Sequence, residues 1–177
     1  LRKADESPEF REKLRALFFS DPLFAFNGFF YTLDVRRRPR HHRPFTTFPY
    51  QDLVILTKVD HIQRGEDLIE EKSRDMGASW TTIGCFVWLW LHPQGGYDFL
   101  LGSRKEDYVD KKGDMRTLFE KARYLLARLP WWLMPRGWNA RAHDNYMKLV
   151  NPETGSSITG ESNNPNFGTG GRYKAIF

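Results

Sequence analysis

The chain has 177 residues, 40% of them hydrophobic and 15% aromatic, enough to bury a core and to exclude a disordered chain. Its net charge of +5 and pI near 9.4 favour a polyanionic partner and say nothing about fold. A lone cysteine, Cys85, excludes an intrachain disulfide framework, and the longest apolar run, residues 83–91, falls far short of the roughly 20 residues a bilayer demands.

The opening "LRKADESPEF" lacks the apolar core of a signal peptide, so the sequence reads as soluble and not secreted, with Cys85 a buried structural thiol. Ser7-Pro8-Glu9 starts a helix with a capping hydroxyl, a first-turn proline and an acid near the positive end. Phe10, Leu14, Leu17 and Phe18 mark its apolar face, and the phenylalanine-rich "DPLFAFNGFFYTL" predicts a second short helix or turn beneath the main body. "RRRPRHHR", residues 36–43, is expected to be a loop, either a solvated connector or a DNA phosphate contact.

An amphipathic helix is expected over residues 49–64, ended by Gly65. "EDLIEEKS" is then expected as a short strand, although Glu70 and Glu71 are unusual in a strand buried on both faces. Residues 79–91 predict an apolar helix stopped by Pro93, and "YDFLLGSR" a second strand over 97–102. The stripe Met115, Leu118, Phe119, Ala122, Leu125, Leu126 and Leu129 predicts a helix over 114–129. The aromatic "LPWWLMPRGW" is expected to roof the core, and "YMKLVNPETGSSITGES" to form a hairpin turning at 151–155. A polar glycine-rich loop then leads into the strand "YKAIF". This order predicts an α/β fold with a mostly parallel sheet flanked by helices and an antiparallel hairpin added to it.

One stretch carries chemistry. "EKSRDMGASW" resembles the phosphate loop G-x-x-x-x-G-K-[ST], with Gly77 and Ser79 in register, Ala78 at the lysine position and Lys72 at the leading position. A lysine leaving the strand end could bring its ammonium to the β- and γ-phosphates from the opposite side, and Arg74 adds a second cation. Gly77 lets backbone approach phosphate, and Ser79 at the helix start could offer its hydroxyl to Mg²⁺. The candidate phosphate-binding set in this loop is therefore Lys72, Ser73, Arg74, Asp75, Met76, Gly77, Ala78 and Ser79. No histidine–cysteine spacing fits zinc, and no elbow or triad fits a serine or cysteine hydrolase.

Together "PFTTFPYQ", "KSRDMGASW", "LLGSRKEDYVDKKGD" and "NPETGSSITGESNNPNFGTGGRYKAIF" resemble the ATPase domain of the large terminase subunit of tailed bacteriophages, from about Asp21 to the end. Some members of that family carry the loop lysine at the leading position, as Lys72 does. The resemblance implies an ASCE-type P-loop NTPase sheet, incomplete at its C-terminal end, in a motor that pumps double-stranded DNA into a procapsid. It implies ATP and Mg²⁺ as cofactors. The implied partners are the portal protein, the small terminase subunit and further copies of the chain in a ring, in the cytoplasm of a bacterial host. It makes Gln51 the adenine-recognising glutamine and Arg172 a charge-stabilising or subunit-coupling arginine beside Lys72 and Arg74, while Arg104 and Lys105 carry no assigned role.

The expected division is a helical extension with a basic loop over residues 1–48 and a partial ATPase domain over 49–177, without the family's C-terminal nuclease domain. The family's acidic pair would follow "YKAIF", so the parent protein is expected to hydrolyse ATP and this chain alone to do so poorly. Two other readings stay open: another P-loop DNA translocase, and a non-catalytic DNA-binding or assembly module that works through its arginines.

Overall fold

The structure is a computed structural model, and it describes residues 2–34, 39 and 42–177. Three helices open the chain: α1 (Arg2–Glu6), α2 (Pro8–Ser20) and α3 (Pro22–Phe29). Ser7 caps α2 by accepting from the Phe10 amide, and Asp21 caps α3 by accepting from Leu23 and Phe24, so each start follows its proline and its capping side chain. Their phenylalanines point inward: Phe18, Phe26 and Phe30 are at most 1% exposed.

Strand β1 (Tyr31–Leu33) pairs antiparallel with β2 (His42–Pro44), Tyr31 opposite Pro44. The expected basic loop is thus shorter at its end, because His42 and Arg43 are in a strand. His42 joins the Tyr124 hydroxyl at 2.7 Å, which ties that strand to a helix further along the chain. Arg36, Arg37, Arg38, Arg40 and His41 lie outside the described residues.

Helix α4 (Pro49–Arg64) has the bounds its pattern predicts, and Gly65 ends it at a left-handed φ of 73°. Residues 66–73, expected as a strand, form none. Instead, the Glu70 carboxylate pairs at 2.7 Å with the buried Lys58 ammonium of α4, while Ile69 stands 94% exposed. Two consecutive glutamates cannot both leave water, and the segment follows its charge rather than a ladder.

Helix α5 (Ala78–Leu91) is buried from Thr81 onward and runs through the centre of the core. It is followed by β3 (Asp98–Ser103), α6 (Glu106–Val109) and α7 (Leu118–Leu126). The last is shorter than the 114–129 expected, since Asp114 takes the Arg116 backbone and guanidinium and Thr117 caps the helix through the Glu120 amide. A 3-10 turn (Trp131–Leu133) and α8 (Ala140–His143) lead to β4 (Asp144–Asn145), β5 (Lys148–Val150), β6 (Ser157–Ser162) and β7 (Ala175–Ile176).

The fold is α/β, a five-stranded sheet in the order β4-β5-β6-β3-β7. It is mixed rather than mostly parallel: β6-β3 and β3-β7 are parallel, β4-β5 and β5-β6 antiparallel. The expected strand over 66–73 is not in it, and the hairpin turning at Asn151 supplies an antiparallel half. On one face Phe99 stacks on Phe86 of α5 at 4.7 Å. On the other, the 163–171 loop covers β3 by laying Phe167 over Gly102, where a Cβ has no room.

Helix α5 also presses against α3, with the Phe26 ring filling the space a Cβ on Gly84 would need. Gly28, in α3, has open space around its Cα. Gly84→Ala is therefore expected to destabilise by about 1–3 kcal/mol through overpacking. Gly28→Ala is expected to raise the melting temperature slightly by stiffening the unfolded chain. Thermal unfolding of the two variants should move in opposite directions.

Candidate functional site

A cleft of about 550 Å³ opens between the β1–β2 hairpin, the start of α4, the 72–77 loop and the start of α5. Met76 lies between two residues in the left-handed region, Asp75 at φ 65° and Gly77 at φ 84°. An aspartate tolerates that conformation better than most residues and a glycine adopts it freely. The resulting reversal delivers the chain to α5 with Gly77 as the residue before the first turn.

Among the described residues, no side chain caps α5. Its first-turn amides keep their donor capacity, and the partial positive charge of a 14-residue helix sits at the cleft wall formed by Ala78, Ser79 and Trp80.

Gln51 closes this geometry. Its Oε1 accepts from the Phe48 amide at 3.1 Å and its Nε2 donates to the Met76 carbonyl at 3.1 Å, so one side chain joins the start of α4 to the loop. The Nε2 passes 2.7 Å from where a Cβ on Gly77 would stand, so the position needs glycine for space as well as for φ. Gln51 is 7% exposed and retains one N–H and one acceptor lone pair for anything entering the cleft. Beside it the rings of Phe48 and Tyr50 stack at 5.8 Å, both largely exposed.

Of the predicted residues, Gln51, Lys72, Arg74, Asp75, Gly77, Ala78 and Ser79 all line the cleft. Met76 contributes its carbonyl to the clasp, and Ser73 accepts from the Lys72 ammonium at 3.2 Å. Lys72 therefore reaches the cleft not from a strand end but from an extended, exposed segment. Arg172 is not brought to this cleft; it lies exposed on the glycine-rich loop after β6. Among the described residues, no cluster of three His, Cys, Asp or Glu could hold a metal ion, and no helix is long and apolar enough to cross a membrane.

Lys121 also lines the cleft, and sequence reasoning passed over it. It stands on α7, buried, and its ammonium spends all three donors on the carbonyls of Met115, Arg116 and Thr117 at 2.9, 3.0 and 3.1 Å. The Trp80 ring lies 5.9 Å away. Its signal was present: position 121 is three residues after Leu118 and four before Leu125, a cation in the apolar phase of the helix. Such a cation needs an internal acceptor, and here the turn before the helix provides it.

No protein-family model matches the chain, and no curated protein matches it either.

Burial pushes the Lys121 ammonium down to about 8, with the Asp114 carboxylate opposing weakly. A lysine depressed in the folded state binds fewer protons there than in the unfolded chain between pH 8 and its ordinary 10.5. Stability attributable to Lys121 should thus rise with pH across that window and be level below it. Urea midpoints measured from pH 7 to 10.5 should show that rise in the native chain and a flatter profile in Lys121→Met.

Proposed function

We propose that the cleft binds the triphosphate of ATP and that the chain is the nucleotide-binding part of a viral DNA-packaging motor of the large-terminase type. The observation that carries this reading is the meeting, in one cleft, of an uncapped helix start behind a left-handed glycine and two cations from the same loop, Lys72 and Arg74. Backbone amides at a helix N-terminus favour phosphate, and the two cations offset its charge.

In this reading Lys72 and Arg74 face the outer phosphates, and Ser79 in the first turn of α5 holds the Mg²⁺ that accompanies them. Gln51 offers its remaining donor and acceptor to the adenine edge while clasping the loop. The parallel run β6-β3-β7 is compatible with an ASCE-type P-loop sheet, although residues 66–73, which lead into the loop, add no strand to it. Arg172, exposed on its loop, has the access needed to reach the nucleotide of a neighbouring copy in a ring. ATP hydrolysis then drives double-stranded DNA toward the procapsid, with the portal protein and small subunit as partners in the host cytoplasm.

A saturating, slowly hydrolysed ATP analogue with Mg²⁺ is expected to raise the melting temperature by about 5–10 °C at a hundred times its Kd. Lys72→Ala should lose most of that shift, and Arg74→Ala part of it. The absence of any nucleotide-dependent shift in the native chain would sink the proposal. If salt-sensitive DNA binding persisted without that shift, the chain would be an assembly or DNA-binding module instead.

A further inference from the structure

A second groove of about 660 Å³ lies between α2 and the aromatic segment after α7, and the reading of the first cleft makes no use of it. Arg11 and Arg15 of α2 form one wall; Trp131, Arg136 and Trp138 form the other, with Glu153 at the end. We propose that this groove binds a single-stranded stretch of nucleic acid, with a base stacked on Trp131 and the adjoining phosphates on the arginines.

Trp131 carries the argument. An indole this large is normally buried, and the neighbouring Trp132 is 4% exposed, yet Trp131 stands 68% exposed. The Arg11 guanidinium lies over its ring at 4.7 Å, bracing the indole in a fixed pose. Arg11 is itself held by the Ala4 carbonyl at 3.1 Å and the Asp5 carbonyl at 3.3 Å, which use two of its five N–H groups. Arg15 donates one N–H to the Trp132 carbonyl and lies over Phe19 at 5.3 Å, keeping its other donors.

Arg11 and Arg15 are therefore pre-positioned by backbone and rings, which lowers the entropy lost when an anion arrives. Glu12 and Glu153 are the acids of the lining, and the Arg136 backbone amide and guanidinium engage Glu153 at 2.8 and 3.3 Å, which holds its carboxyl below the usual range. Guanidinium groups alternating with a flat exposed ring make up the stacking platform and electrostatic track used for unpaired strands. A duplex is a poorer fit, because its base faces are already covered by their neighbours and cannot reach an indole plane.

The test is fluorescence anisotropy of the full chain with a short fluorescein-labelled oligothymidylate, beside a duplex of equal length and polyglutamate as competitors. The native chain should bind the single strand more tightly than the duplex. Trp131→Ala should weaken binding roughly ten-fold, Trp131→Phe should retain most of it, and Arg136→Gln should make the salt dependence shallower by about 0.7 in log–log slope. Both positions are exposed, so unchanged melting temperatures are expected and confirm that the variants fold. The ATP-analogue shift should survive in Trp131→Ala, which separates failure here from failure of the cleft reading. Equal affinity for duplex, indifference to Trp131→Ala, or equal competition by polyglutamate overturns the proposal, as does no binding at all.

Discussion

One side-chain amide positions the loop on which the candidate site depends. By bonding the Phe48 amide at one end and the Met76 carbonyl at the other, Gln51 sets the start of α4 against the approach to α5. That placement is possible only because Gly77 has no Cβ in the path of the amide. The same glycine turns the chain into α5 without a side-chain cap, so the feature that makes room for the clasp also leaves the helix start open to the cleft. Clasp, turn and open helix end are thus one local solution rather than three.

What the clasp is anchored to matters equally. Helix α5 is held along its length by side chains from distant parts of the chain. Trp88 donates to the Phe18 carbonyl at 2.7 Å, joining it to α2, and the buried Asn151 donates to the Trp90 carbonyl at 2.8 Å, joining its end to the β5–β6 hairpin. Asn151 also accepts from the Glu153 and Thr154 amides, so the residue that forms the turn fastens it to the helix. Around these bonds the aromatic core is packed too tightly for α5 to shift by a turn without opening voids. A site at the start of such a helix is rigid on one wall, and its adaptable groups, Lys72 and Arg74, lie on the exposed loop opposite.

Much of this was legible before any coordinates. Ser7-Pro8 announced the start of α2, Gly65 the end of α4, and the Asn151–Gly155 turn its hairpin, because each depends on a local preference that neighbours do not override. The residues from 72 to 79 fall together because they are contiguous, and all but Ser73 and Met76 line the cleft. The failures are of detail. The apolar stripe beginning at Met115 masked a local start signal, Thr117 capping the helix three residues before Glu120 while Asp114 takes Arg116. Lys121 stood out only as a cation in the apolar phase of its helix, and its three acceptors are backbone carbonyls, which no residue pattern displays. Arg172 was singled out by resemblance alone, and the fold places it on a loop outside this cleft.

The missing strand over 66–73 has the clearest physical cause. Lys58 sits on the inner face of α4, 6% exposed, and gives hydrogen bonds to Thr81 at 3.1 Å and Thr82 at 2.7 Å on α5. Two hydroxyls satisfy donors but cannot balance a charge, and the Glu70 carboxylate does so at 2.7 Å. Removing one partner of a buried pair costs about 3–5 kcal/mol, more than a short edge ladder returns. Moving this segment into the sheet beside β7 would therefore have to keep Glu70 on Lys58 or find the ammonium another anion. Lys72 lies two residues beyond that anchor. The ion pair between α4 and this segment thus anchors the chain just before Lys72, and the electrostatics of the core thereby reach the candidate phosphate site.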